Sequence, residues 1–530
     1  MSYRMDRNFL KLLLFFLIVS GNVFSQTLNE ASKFAKTITV KDLRKHLEII
    51  ASDEYEGRET GEKGQKMAAE YISKHFKELG LAGPTSASNP YYQPFKLYKN
   101  YWDEVELGFG DEELTYLEEF FLYGNFSIEE EGLPFVFAGY GIDEEKYSDY
   151  EGLDVEDKAV AVWMGQPVDN ETGNYLLSGT DKPSQAISST YKIKAAAEKG
   201  AKAIFLIYES DDEFNNRLEV YKPYLQKPSL STTDGSKEQG KIGVFFMGPS
   251  SLSKVLGLSE KKYQKLEKKY SKKKAAAVKS QPSLQLTATK SSEEVMTENV
   301  LGYMEGTDLK DELLVVTAHY DHIGKSGDEI NNGADDDGSG TVTVLEIAEA
   351  FSMAKADSVF PRRSILFMTV TGEEKGLLGS AYYSDNPVFP LGNTIANLNI
   401  DMVGRVDDKH ADNPDYIYVI GSDMLSSELH DMHEEVARKY APDVELDYTY
   451  NAKDDPNRFY YRSDHYNFAK HGIPVIFYFN GTHEDYHQPT DTVEKINFEK
   501  MSKIGRLIFH TAWELANRDT RPVVDQSESD

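Results

Sequence analysis

From about residue 296 onward the chain alternates short, unbroken apolar runs with stretches of helical periodicity. The runs are Leu313 to Ala318, Ile365 to Val370, Ala396 to Ile400, Ile417 to Ile420 and Val475 to Phe479. Their length and near-complete apolarity predict strands buried on both faces of a mostly parallel sheet. Val344, Ile347, Ala348 and Phe351 fall at offsets 0, 3, 4 and 7, which predicts a helix between the first two runs. Together these patterns predict an α/β fold, a mostly parallel central sheet flanked by helices. Ligands of such sheets bind beyond the carboxyl ends of the strands.

Upstream the texture is different. Residues 39 to 81 read as helical: Ala68, Tyr71, Ile72, Phe76 and Leu79 share one face of a helix that stops at Gly80, a face expected to pack on another domain. From 117 to 285 the pattern becomes short β-like runs such as Phe135 to Phe137 and Ala159 to Trp163, broken by glycines, with one helical stretch from Lys192 to Lys199. We read this segment as a separate insert. It ends in the lysine-rich stretch Lys261 to Lys274, where the pair Leu266 and Tyr270 marks a solvated helix face or linker. No internal repeat is apparent. The expected organisation is therefore 27–116 and 290–519 as the two parts of one domain, 117–285 as the insert, and 520–530 as a disordered acidic tail.

Composition narrows the function. The chain has 530 residues with 58 Lys plus Arg against 88 Asp plus Glu, a formal charge of −30, so its long-range field repels phosphate backbones and nucleic acid is not an expected partner. There are no cysteines, which excludes disulfides, thiolate catalysis and cysteine metal ligands. Any bound metal must use His, Asp or Glu. At the N-terminus, Arg4, Arg7 and Lys11 precede the apolar run Leu12 to Val19, and Val23 and Ser25 stand at the −3 and −1 positions of a cleavage site before Gln26. Residues 1–25 read as a cleaved secretory signal, because the run is well short of the ~20 residues that span a bilayer. The mature protein is expected to be secreted or periplasmic, without a stable membrane anchor.

Candidate chemistry gathers at the ends of the apolar runs. His319 ends the first, and Asp321 two residues on can accept the second imidazole N–H and fix the tautomer. Asp335, Asp336 and Asp337 are successive carboxylates between Gly333 and Gly338, a crowding that a cation relieves and that a solvated acidic turn would also accommodate. Glu373 and Glu374 follow the second run; one can bind metal while its neighbour handles protons. Asp401 ends the run Leu398 to Ile400, where a buried carboxylate needs a partner. His487 lies past the last run, with His483 as a competing choice that spacing does not resolve. Imidazole and carboxylate donors together point to Zn²⁺, with Mn²⁺ or Co²⁺ as substitutes. His322 and His465 read as supporting or packing residues. Phe459, Tyr460 and Tyr461 read as core or as the wall of a pocket for an apolar side chain. Ser463, Asp464 and His465 are contiguous and so cannot adopt triad geometry.

The series HYD, GADDDGSG, TGEEKGLLGS, NIDMVG and YHQPTDT resembles, in order and spacing, the co-catalytic zinc exopeptidases that include bacterial leucyl aminopeptidases, glutamate carboxypeptidase and glutaminyl cyclase. EYEGRETGEKGQKMAAEYI is similar to the N-terminal helix region of that family. VFAGYGI, YEGLDVEDKAVAV and KAAAEKGAKAIFLI make residues 117 to 285 resemble its β-rich protease-associated insert. The resemblance implies two zinc ions bridged by Asp336, with His319 and Asp401 completing one site and Glu374 and His487 the other. It further implies Glu373 as general base, Asp321 orienting His319, Tyr460 steadying the tetrahedral oxyanion, and a cis peptide between Asp336 and Asp337.

The expected function is a secreted zinc aminopeptidase acting on peptide substrates. Within the same fold the alternatives are a carboxypeptidase of the glutamate carboxypeptidase type, for which Arg405 or Arg462 would bind the substrate carboxylate, and a glutaminyl cyclase, which uses one zinc. A peptidase-like binding protein that has lost its metals should lack a ligand or the base, and this chain lacks neither. The oligomeric state is left open by the sequence.

Overall fold

A computed structural model describes residues 31–169, 172–237, 241–270 and 283–526. The signal read at 1–25 lies outside the described residues. The chain divides into two compact units, one from Met1–Lys96 with Met296–Asp530, the other Leu97–Val295. These boundaries differ from those expected at 116/117 and 285/290, and they fall inside two long strands, Tyr92–Phe109 and Ser283–Met304.

The first unit is built on seven strands: β1 (Ser283–Met304, through its C-terminal part), β2 (Leu309–His319), β3 (Arg363–Val370), β4 (Thr394–Ile400), β5 (Tyr416–Ile420), β6 (Glu445–Asp447) and β7 (Val475–Phe479). They lie in the order β6-β5-β7-β4-β2-β3-β1. Strands β3, β2, β4 and β7 run parallel to one another, while β1 and β5 are antiparallel to their neighbours β3 and β7. The near-continuous apolar runs are explained by burial on both faces. Along β2, Leu314, Val316 and Ala318 enter one core while Leu313 and Val315 enter the other; along β3, Ile365 and Phe367 oppose Leu366, Met368 and Val370. Each such aliphatic or aromatic side chain contributes about 1.5–3 kcal/mol on burial.

Helices α1 (Val40–Ile50), α2 (Lys63–Glu78) and α3 (Gly340–Ala356) cover the first face together with α5 (Ser427–Tyr440) and α6 (Phe498–Asn517), while the shorter helix α4 (Leu378–Asp385) lies on the opposite face. Helix α1 starts at Thr39, whose hydroxyl accepts the Asp42 amide, and α6 at Asn497, whose side chain accepts that of Lys500. The apolar face of α2, with Ala68, Ile72 and Phe76 fully buried, packs into the core of its own unit and not on another domain as the sequence suggested. Nor is 39–81 one helix. It breaks between α1 and α2, where Glu56, Gly57 and Arg58 adopt left-handed φ of 48°, 66° and 50°.

Arg58 is the reason for that break. Its side chain is fully buried, and its guanidinium donates to the carbonyls of Tyr320 (2.8 Å), Ile50 (2.8 Å), Asn332 (2.7 Å) and Gly333 (2.9 Å). One side chain thus ties the α1 end to the loops after β2 and before α3. Arg58→Met, which leaves these carbonyls without donors, is expected to lower the unfolding free energy by about 3 kcal/mol. A urea midpoint equal to wild type would overturn this assignment.

The second unit has its own core. Strands Ile128–Phe137, Ala159–Trp163, Ala203–Ile207 and Gly243–Met247 pair in parallel in that order, with Phe120–Leu122 antiparallel on the last and Ser283–Ala288 antiparallel on the first. Helices Ser189–Glu198, Asp211–Leu225, Pro249–Val255 and Glu260–Tyr270 accompany them, so the insert is α/β where a β-rich texture with one helix was expected. In the last helix the buried pair is Tyr263 and Leu266, and the Tyr263 hydroxyl accepts from Trp163 Nε1 at 2.7 Å. The expected acidic tail is described to Gln526. Its Asp525 carboxylate accepts the Ser427 amide at 2.9 Å at the start of α5, so this stretch does not trail freely. Among the described residues no helix is long and apolar enough to cross a membrane.

Candidate metal centre

Sheet register brings the site together. His319 is the last residue of β2 and pairs with Val370 at the end of β3; Ile400 at the end of β4 pairs with Tyr478 in β7. Because these four strands are parallel, the loops that follow them, carrying Glu373 and Glu374, Asp401 and His487, leave from one edge. Asp336 joins them from the turn before α3.

Asp336 stands at the centre. Its Oδ1 lies 3.3 Å from His319 Nε2 and its Oδ2 3.1 Å from His487 Nε2. On one side His319 Nε2 is also 3.6 Å from Asp401 Oδ1 and 3.8 Å from Glu373 Oε2. On the other, His487 Nε2 lies 3.2 Å from Glu374 Oε2. His319, Asp336 and Asp401 can therefore point one donor atom each at a common centre. His322 adds an unanticipated donor to the opposite group, with Nδ1 2.8 Å from Glu374 Oε1, so His322, Asp336 and Glu374 also converge. His319 Nε2 and Glu374 Oε1 are buried without a hydrogen-bond partner, which in a protein interior calls for a further charged species. The donor set of imidazoles and carboxylates fits Zn²⁺.

The three aspartates divide their labour. All are buried, which rules out a solvated acidic turn. Asp337 accepts the amides of His319 (3.1 Å), Gly340 (2.9 Å) and Met402 (3.1 Å), and so joins β2, α3 and the loop after β4. Asp335 accepts the Gly404 amide at 2.7 Å and faces His483 Nε2 at 3.2 Å. That contact settles the choice between the two histidines: His483 serves Asp335, and His487, held at a left-handed φ of 57°, faces the centre. The Asp336–Asp337 peptide is cis.

Electrostatics follow from this crowding. Burial opposes a charge on His319, yet the facing Glu373 and Asp401 carboxylates raise its pKa well above the usual imidazole value. His487 is likewise pushed up to about 11 against burial, by Asp336 and Glu374. Despite burial and the nearby Asp336, the imidazoles of His322 and His487 hold Glu374 at about 2. Glu373 goes the other way. Burial, with Asp401 and Glu374 adding to it and His319 opposing, lifts its carboxyl well above the usual range. Two adjacent glutamates thus have opposite proton affinities, the division expected of a ligand and a proton acceptor.

The supporting residues were only partly visible in the sequence. His319 Nδ1 is nearest the main-chain carbonyl of Asp321, at 3.1 Å, with the Asp321 carboxylate at 3.7 Å. That carboxylate instead accepts the Glu373 amide (3.3 Å) and the Thr60 hydroxyl (2.7 Å), so Asp321 meets His319 through its carbonyl and Glu373 through its side chain. Ser463 donates to Asp401 Oδ2 at 2.6 Å, and Asp491 accepts the amides of Asp335 and Asp336. Neither role has a local signature, since each depends on a contact across more than 60 positions. His465 packs against Phe477 with ring centroids 4.6 Å apart.

The cavity above the centre is walled by Met402, Phe459, Phe477 and Phe479, with Arg462 and Tyr486 at its polar side. Tyr460 and Tyr461 line a different cavity, with Met424 and Asp455. Within the turn Phe459–Tyr461, Phe459 thus lines the cavity of the candidate ligands while Tyr460 and Tyr461 line the other. Tyr486 lines the first cavity, stacked on His487 with centroids 4.0 Å apart. Arg405 is committed to Asp485 at 2.7 Å, whereas the Arg462 guanidinium lies over the Phe459 ring.

Residues 299–512 match peptidase family M28. Over these residues the chain is similar to peptidase family M28. It is 29% identical over 233 residues to aminopeptidase YwaD of Bacillus subtilis (strain 168), covering 42% of this chain and 46% of that protein. It is 30% identical over 212 residues to a probable leucine aminopeptidase of Trichophyton verrucosum, covering 39% of this chain and 55% of that one. The chain thus spans about half the length of these curated relatives. The aminopeptidase from Aneurinibacillus sp. strain AM-1 superposes with a TM-score of 0.56 at 18% identity, over 94% of this chain and 98% of that one, which shows a shared fold. The M28 segment opens at Asn299 in β1 and closes within α6, and so contains all five candidate ligands and Glu373.

Proposed function

We propose that the protein is a secreted zinc aminopeptidase that removes apolar residues from the N-termini of peptides, with two ions held by His319, Asp336 and Asp401 and by Asp336, Glu374 and His487. The observation that supports this reading is the convergence of His319, Asp401, Glu374 and His487 around Asp336, beside a glutamate of raised proton affinity. The names of the similar proteins, aminopeptidase and probable leucine aminopeptidase, favour attack at the N-terminus.

Zinc ions bound there would supply an acidified water and positive charge for the scissile carbonyl. Glu373 accepts the proton of the attacking water and returns it to the leaving amine. Asp321 fixes the Glu373 main chain while doing so. Tyr486, whose hydroxyl burial keeps protonated, donates to the oxygen that gains charge in the tetrahedral state. The wall of Met402, Phe459, Phe477 and Phe479 receives the apolar side chain of the substrate. The N-terminal signal would export the chain, and the Leu97–Val295 unit would be a protease-associated domain.

A second reading is kept by one observation: Arg462 lines the same cavity and can bind a carboxylate, as a carboxypeptidase requires. Leucine anilide, an N-blocked leucyl peptide and a peptide ending in glutamate separate the two. The aminopeptidase cleaves the first alone and loses activity on chelation, while release of C-terminal glutamate would establish the other. In the same assay Tyr486→Phe should lower kcat about 100-fold and Tyr460→Phe less than about 3-fold; the reverse ranking would return the oxyanion role to Tyr460.

A further inference from the structure

A second group of metal-competent side chains lies in the first unit, on helices α1, α2 and α3, and shares no residue with the candidate active site. His46 of α1, His75 of α2 and Glu349 of α3 can each point a donor atom so that all three atoms fall within 4.8 Å of one another. Glu346, one turn before Glu349, brings its Oε1 to 3.5 Å from His46 Nε2. The two imidazole rings face each other edge to face, with centroids 4.7 Å apart.

These groups are poorly served by the protein itself. Glu346 is only 2% exposed, and its Oε1 has no hydrogen-bond partner; His75 Nε2 is also buried without one. Burial, with Glu349 and Asp42 adding to it, pushes the Glu346 carboxyl up to about 8, and an unpaired carboxyl oxygen in that setting is costly where an apolar residue at 346 would not be. The second nitrogen of His46 is held: Nδ1 lies 2.6 Å from the Tyr71 hydroxyl, which fixes the ring and, with Nδ1 protonated, leaves the Nε2 lone pair turned towards Glu346. His75 and Glu349 are partly exposed, which leaves a path for an ion from solvent. Burial also keeps both imidazoles neutral at pH 7, the form in which they bind metal.

We propose that His46, His75 and Glu349, with Glu346 as fourth donor, form a zinc site that cross-links α1, α2 and α3. Two imidazoles and two carboxylates make a closed tetrahedral donor set, the arrangement of a structural rather than a catalytic ion. The inference does not depend on the reaction assigned to the centre at Asp336.

The test is the zinc content of the full chain after dialysis against buffered zinc, in four forms: wild type, His75→Gln, Asp336→Asn and the double substitution. His75→Gln should remove about one zinc per chain both from wild type and from Asp336→Asn, and should leave kcat/KM of the wild-type centre within about 2-fold. Glu349→Gln, at a partly exposed position, should reproduce the loss if His75→Gln proves poorly folded. Chelation should also lower the Tm of Asp336→Asn and leave that of the double variant unmoved. Equal zinc content with and without His75→Gln and Glu349→Gln overturns the proposal.

Discussion

Asp336→Asn is expected to abolish peptidase activity, a loss of at least about 10⁴-fold, together with the zinc bound at the centre. The size follows from position. Among the described residues, Asp336 is the only carboxylate within 4 Å of both His319 and His487, at 3.3 and 3.1 Å, so both halves of the centre share it. An asparagine there keeps the shape but offers one neutral oxygen in place of two charged ones. The fold should survive, since the structural bonds of the turn belong to its neighbours: Asp337 accepts three backbone amides and Asp335 holds Gly404. Zinc analysis and circular dichroism of the variant read the two halves of this expectation separately. Activity within 10-fold of wild type would mean that Asp336 bridges nothing.

Glu373→Gln should behave differently, with kcat lowered about 10³-fold while zinc content stays at the wild-type level. Such a loss corresponds to about 4 kcal/mol in the barrier, within the range of a single general base. Glu373 lines the cavity beside His319 and Asp401, and its raised proton affinity suits a group that takes a proton and gives it back. Glutamine fills the same volume without that capacity. Equal kcat in the variant would remove Glu373 from its role, and a parallel loss of zinc would make it a ligand.

Much of the fold was legible in sequence because burial on both faces leaves a local mark. The run Val475 to Phe479 coincides with β7, and Ile365 to Val370 lies within β3. Some candidate ligands were legible for a related reason: in a parallel sheet, polar residues just past consecutive apolar runs, such as His319, Glu374 and Asp401, leave from one edge. What failed were readings that needed the direction of a backbone outside regular elements. The helical periodicity of 39–81 did not reveal the turn at Gly57, because that turn exists to deliver Arg58 to carbonyls more than 260 positions away. Tyr460 and Tyr486 both lie near motif residues, and only the loop paths decide which ring enters the cavity.

By itself, then, the sequence determined the α/β class and the absence of sulfur ligands, since composition and the period of apolar positions are properties of the chain alone, and it offered candidate donors among which the His483 or His487 choice stayed open. The tertiary structure decided which of His483 and His487 faces the centre, that Asp337 and Asp335 are scaffolding for Asp336, that Asp321 also positions Glu373, and that His322 stands against Glu374. Those choices turn on differences of an ångström or two between side chains of the same type, and such distances are set by packing among segments remote in the chain.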